Sequence, residues 1–184
     1  SEQKQKILNF ARAVIKAKIS HVPLPSMPEG IRELHVLGAC FVTLHSADGM
    51  LRGCIGNITP VESLGDNLRY NAINAATRDP RFPPVTTTAE LDTLSIEVSV
   101  LTPLEKIASP AEFEVGRHGI VFACQGRSSV FLPQVAPEQG WDRDTTLAHL
   151  ALKAGLPSDA WKSQEAQFMT FEAIVFGEET GRKA

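Results

Sequence analysis

Proline sets the limits on what this chain can become. There are 12 prolines in 184 residues, and they cluster. Proline fixes φ and lacks a backbone donor, so it ends helices and is excluded from central strands. Pro23, Pro25 and Pro28 make residues 21–30 irregular or extended. Pro80, Pro83 and Pro84 make Asp79-Pro80-Arg81-Phe82-Pro83-Pro84 a rigid, ordered loop. Pro103 closes the segment before it. Regular structure must be fitted between these breaks.

Hydrophobic spacing fills the intervals. Residues 3–19 read as an amphipathic helix with Ile7, Ala11, Val14, Ile15 and Lys18 on its stripe. Residues 36–55 read as a hairpin turning at Asp48-Gly49. Thr59-Pro60-Val61-Glu62 has the form of a capping box, so a helix is expected from there to Arg78-Asp79. Leu94, Ile96, Val98 and Val100 alternate with Ser95, Glu97 and Ser99, which predicts a strand with one buried and one polar face. A second hairpin is expected over 119–135, turning at Gln125-Gly126-Arg127-Ser128, then a helix over 144–154 capped by Gly155. Met169, Phe171, Ala173 and Val175 make one last strand. Hairpin-then-helix therefore occurs twice, at 36–77 and 119–154. Two hairpins and few βαβ opportunities favour α+β with antiparallel sheets and flanking helices.

Composition narrows the function. The chain carries 18 Lys+Arg against 21 Asp+Glu. A net charge of −3 disfavours RNA binding, which draws its affinity from surplus cations. No segment approaches the about 20 apolar residues that span a bilayer, and no apolar signal-peptide region is visible. Three cysteines cannot form a full disulfide set, and Cys40, Cys54 and Cys124 lie far apart. Reduced thiols and a cytoplasmic location are expected. No metal-ligand spacing and no nucleotide fingerprint is present, so neither a metal nor a cofactor is expected.

The chemistry concentrates at Leu51-Arg52-Gly53-Cys54-Ile55-Gly56. A thiol beside an arginine and before a capped helix could be held as thiolate, a nucleophile or redox group. It could equally be a small buried hydrophobe between Gly53 and Gly56, where glycine permits a bulge or a close backbone approach. Arg81, with Arg78, could hold an anion on the rigid loop, or Asp79 could pair internally with an arginine and brace it. His118 could serve as base to Cys54 if the fold joins them. Gln134 could present an amide to a cleft. The candidate catalytic residues are thus Cys54 and His118, and the candidate binding residues Arg52, Gly53, Gly56, Asp79, Arg81 and Gln134.

At these motifs the chain resembles the AMMECR family. The resemblance begins at the six-residue segment 51–56. It continues through Asp79-Pro80-Arg81-Phe82 with Pro84, Glu90-Leu91, Glu97-Val98-Ser99-Val100-Leu101, Gly116 with His118-Gly119-Ile120, Leu132-Pro133-Gln134-Val135, Gly140-Trp141-Asp142 and Lys153-Ala154-Gly155-Leu156. It implies that residues 1–184 are one AMMECR domain of two unequal lobes, the larger built from both chain ends and the smaller from the middle. It also implies partners: a Memo-type protein and a radical S-adenosylmethionine enzyme, with this chain as component A of an AmmeMemoRadiSam system. Two readings follow, a small enzyme with a cleft around Arg52 and Cys54, and a non-catalytic module that docks on such partners. The ligand in either case is an unknown small molecule or protein.

Overall fold

Capping and strand pairing decide where each element starts. The computed structural model describes residues 1–179. Its helices are α1 (Glu2–Ile19), α2 (Leu64–Thr77), α3 (Thr88–Thr93), α4 (Val135–Gln139) and α5 (Arg143–Lys153). Its strands are β1 (Leu37–Gly38), β2 (Cys40–His45), β3 (Leu51–Gly56), β4 (Glu62–Ser63), β5 (Ser95–Leu101), β6 (Glu105–Ile107), β7 (Gly119–Cys124), β8 (Arg127–Phe131), β9 (Gln167–Phe171) and β10 (Ala173–Gly177). Two compact units result. One comprises residues 1–101 with residues 174–179, the other Thr102–Ala173. The protein is α+β with antiparallel strand pairs in both.

The first unit carries a four-stranded sheet in the order β10-β5-β2-β3 and a two-stranded pair, β1-β4. Val42 and Leu44 of β2 and Ile96 and Val98 of β5 join Phe10, Val14 and Ile15 of α1 and Leu68 and Ala72 of α2 in one core. The buried face of α1 is wider than the spacing of its stripe: Leu8, Phe10 and Ala17 are buried, whereas Lys18 is exposed. Arg12 is partly buried and reaches Leu91 O at 2.9 Å and Leu94 O at 2.6 Å. It also pairs with Glu178 at 2.6 Å, whose carboxylate accepts from Ile96 N at 2.8 Å.

The second unit carries the antiparallel sheet β6-β9-β7-β8. Its core gathers Ile120, Phe122 and Cys124 of β7 with Phe168 of β9 and Leu147, Leu150 and Ala151 of α5. Gln125 and Gly126 make the β7–β8 turn with φ of 53° and 75°. Positive φ at both residues is what a two-residue turn between twisted strands requires.

Four expectations are corrected. The helix does not begin at the Thr59-Pro60 capping box. Glu62 and Ser63 pair instead with Leu37 and Gly38, Leu64 N donates to Val36 O at 2.8 Å, and Ser63 caps α2. Ser95 and Ser99 are buried and only Glu97 between them is partly open, so the polar face of β5 is covered rather than solvated. The last strand is two strands in different sheets, since alternation specifies a strand but not its partners. The break falls at Glu172, which exchanges hydrogen bonds with Thr102: Thr102 N to Glu172 O at 2.8 Å and Glu172 N to Thr102 Oγ1 at 2.7 Å. The second turn occupies two residues, and Arg127-Ser128 belong to β8.

Candidate functional site

Strand β3 presents the signature residues at the edge of the first unit's sheet. Gly53 lies opposite Leu44, and a Cβ added there would meet Ala75 O of α2 at 2.1 Å. Gly56 lies opposite Phe41, whose ring a Cβ would meet at 2.3 Å. Both glycines are therefore packing requirements: α2 sits directly on β3 because Gly53 has no side chain.

Cys54 stands opposite Thr43, and Thr43 opposite Glu97, so the three side chains share one face of the sheet. Thr43 Oγ1 and Cys54 Sγ are 3.2 Å apart. Partial burial pushes the Cys54 thiol up from its ordinary value; the Thr43 bond and the Arg81 charge oppose this, and Asp79 and Glu97 add to it. The thiol is therefore protonated at neutral pH. The two devices expected to make a thiolate are spent elsewhere. The helix begins at Leu64, not beside the thiol. Arg52 donates from Nε to Glu90 Oε1 at 2.8 Å, with 14% of its side chain exposed.

Asp79 organises the loop that follows α2. Its side chain is 2% exposed. It accepts from Arg81 N at 3.1 Å, Arg81 Nε at 3.0 Å, Arg81 Nη2 at 2.8 Å and Cys54 N at 2.9 Å. The guanidinium hydrogen bonds hold its carboxyl far below the usual carboxylate range. The bracing arrangement is thus the one present, and its arginine is Arg81 rather than Arg78. Arg81 stays 57% exposed, lies over the Phe82 ring and donates from Nη2 to Cys54 O at 3.3 Å.

Behind the hairpin is a buried amide cluster for which sequence spacing gave no signal. Asn71 Nδ2 donates to Cys40 O at 3.0 Å, Asn67 Oδ1 at 3.0 Å and Asn57 Oδ1 at 3.1 Å. Asn67 Oδ1 accepts from Cys40 N at 2.9 Å, and Asn67 Nδ2 donates to Asn57 Oδ1 and Glu62 Oε1. The cluster ties residues 57–62 to α2. Burial pushes the adjacent Cys40 thiol up to about 12.

Arg52, Gly53, Cys54, Gly56, Asp79 and Arg81 are thus brought together in the first unit. His118 and Gln134 belong to the second. His118 Nδ1 accepts from Glu114 N at 3.0 Å, and its ring stacks on Phe113. It borders a cavity of about 260 Å³ with Thr102, Glu105, Arg117, Thr170 and Glu172. Gln134 precedes α4 and makes no side-chain capping bond there. Trp141 is a packing anchor, stacked on His149 at 3.9 Å and 5.7 Å from Phe131. Among the described residues, no three His, Cys, Asp or Glu side chains gather as a metal site, and no helix is long and apolar enough to cross a membrane.

Similarity to known proteins covers nearly all of this architecture. The AMMECR1 family model matches residues 8–176. Protein MJ0810 of Methanocaldococcus jannaschii is 43% identical over 180 residues, covering 93% of this chain and 88% of that protein. Protein MK0488 of Methanopyrus kandleri is 48% identical over 146 residues, covering 76% and 70%. The crystal structure of an uncharacterized protein, PH0010, from Pyrococcus horikoshii superposes with a TM-score of 0.85 at 37% identity, covering 97% of this chain and 92% of that one. The chain belongs to the AMMECR1 family.

Proposed function

We propose that the chain is a non-catalytic docking module acting in the cytoplasm with a Memo-type protein and a radical S-adenosylmethionine enzyme. The observation that supports this over a thiol enzyme is the engagement of the signature's polar groups inside their own unit. Arg52 is bonded to Glu90, Arg81 to Asp79, the Cys54 amide to Asp79, and the thiol to Thr43. Two clamps already holding carboxylates have little charge left for an anionic substrate, and a protonated thiol is a poor nucleophile.

The test pairs affinity with reactivity. The chain and its Cys54→Ser variant are titrated against each purified partner, and alkylation of Cys54 is followed against pH. The expected result is binding that the substitution leaves unchanged within about twofold, and an alkylation rate still rising above the ordinary thiol value of ~8.5. Binding to neither partner removes the docking role. A thiol that titrates near neutrality restores Cys54 as a thiolate nucleophile or redox group.

A further inference from the structure

An edge strand turns the N–H and C=O of alternate residues outward, where another chain can pair with them. Strand β3 is such an edge. Its register sets Ile55 opposite Val42 and Gly53 opposite Leu44, and Asn57 N donates to Cys40 O. Hydrogen-bonded and non-hydrogen-bonded pairs alternate in an antiparallel ladder. Asn57, Ile55 and Gly53 therefore bond toward β2, and Cys54 turns its backbone outward.

Side chains fill that outward position. Asp79 Oδ2 accepts from Cys54 N at 2.9 Å, Arg81 Nη2 donates to Cys54 O at 3.3 Å, and the two side chains bond each other at 2.8 Å. A carboxylate and a guanidinium thus occupy the acceptor and donor positions that one residue of a neighbouring strand would supply. The support is stiff. Phe82 N donates to Asp79 O at 3.1 Å and Val85 N to Ala76 O at 2.8 Å, with Pro80, Pro83 and Pro84 between and beside them. The strand it covers needs such cover. Leu51-Arg52-Gly53-Cys54-Ile55-Gly56 has one charge, already paired with Glu90, and no proline. Its shortness and its two glycines weaken an edge-to-edge pairing without preventing it, because the outward N–H and C=O of an uncovered edge remain open to another chain.

We propose that Asp79 and Arg81 are an edge cap, a side-chain substitute for a neighbouring strand that keeps β3 of one copy from pairing with β3 of another. The cap assigns to this loop a role independent of any bound anion and of any partner enzyme.

The experiment compares the full chain with Arg81→Ala and with Asp79→Ala/Arg81→Ala. Sedimentation is run over two decades of concentration, with amide hydrogen exchange resolved at Cys54 and Ile55. The expected wild type is a monomer whose outward Cys54 amide is protected. Removing the cap strengthens self-association at least about tenfold. In the double-variant monomer the Cys54 amide exchanges about tenfold faster, Ile55 is unchanged, and dimerisation protects Cys54 again; in Arg81→Ala, where Asp79 still accepts from Cys54 N, the readout is self-association. Arg81→Ala leaves the buried Asp79 carboxylate without its counter-charge and the double variant removes both charges together, so the two variants separate loss of the cap from loss of the fold. Variants that stay monomeric overturn the proposal. So does a double-variant dimer in which Cys54 exchanges no slower than in the monomer, because that dimer forms elsewhere.

Discussion

In the first unit the hairpin β2–β3 leads into α2; in the second the hairpin β7–β8 leads into α5. The joints differ. At the first, the helix backbone rests on the strand, Ala75 O against Gly53, with buried amides and carboxylates satisfying what lies around it. At the second, side chains span the gap: Ser129 Oγ donates to Leu150 O at 2.6 Å, Lys153 Nζ donates to Val130 O at 2.7 Å, and Arg127 lies beside Gly155. A joint made by close backbone approach tolerates no added atom. A joint made by long side chains can adjust. The residues that look most chemical in this sequence belong to the intolerant joint.

The sharpest way to break this comparison is an added methyl group at each joint. Gly53→Ala places a Cβ 2.1 Å from a backbone oxygen, so α2 must move away from β3. The expected loss is about 3 kcal/mol or more, at or beyond the usual cost of overpacking. Gly155→Ala meets only the far end of Arg127, at 2.7 Å, and its penalty comes from φ of +80°. About 1–2 kcal/mol is expected there. Urea denaturation of the two variants measures both. Equal losses would show that the joints are alike.

Buried polar groups sharpen it further. Asn71→Ala withdraws a donor from Cys40 O and Asn57 Oδ1 in a nearly dry site. Cys40 O keeps the longer bond from Asn57 N at 3.4 Å and Asn57 Oδ1 keeps Asn67 Nδ2 at 2.6 Å, so the cost is the shared bonds lost together in a buried site, about 2 kcal/mol. Ser129→Ala removes one donor from Leu150 O, which still accepts from Ala154 N at 3.2 Å. About 1 kcal/mol is expected for that loss. The same denaturation series measures the pair, and a larger loss at Ser129 would reverse the assignment of the rigid joint.

What the sequence reveals follows the same division. Periodicity and punctuation show α1, both hairpins, α5 with its Gly155 cap, and a rigid loop at 79–84, because those depend on neighbours along the chain. Glycines on both sides of Cys54 signal close approach, though not that α2 is what approaches Gly53. The start of α2 is hidden because a tertiary contact, β1 with β4, outcompetes a good local capping box. Helix α3 was within reach: Thr87 accepts from Glu90 N at 3.1 Å, the pattern a Thr-x-x-Glu signal describes. The Asn57–Asn67–Asn71 cluster and the Thr43–Cys54–Glu97 row have no such signal, since strand register and helix placement create them. Charge pairing is likewise invisible from composition. Arg52 reads as a free cation until Glu90 is found beside it, and only the Asp79 loop offered an internal pair, without saying which arginine makes it.

The last contrast is electrostatic, and acid resolves it. Asp79 is buried and its carboxyl is held far below the usual range, first by the Arg81 side-chain bonds. Asp48 and Asp142 are also lowered, by Ser46 and Thr145 in turn, but both are fully exposed. A carboxylate whose folded pKa is depressed binds its proton more readily when unfolded. Its stabilisation is fully present above the unfolded value of ~3.9 and disappears as pH falls through the folded value. Asp79 therefore contributes no slope between pH 7 and about pH 5 and a steep one in stronger acid. Asp79→Asn should lose about 1–2 kcal/mol at neutral pH, discounted for the exposure of Arg81, and should flatten the acid limb. Asp142→Asn in the second unit, an exposed N-cap where the amide still accepts from Thr145 N, should leave the limb in place. Chemical denaturation repeated from pH 7 downward reads both slopes. An unchanged acid limb in Asp79→Asn would mean that the Asp79–Arg81 pair adds nothing to the first unit's stability, and the contrast between the two joints would then rest on Gly53 and the buried amides alone.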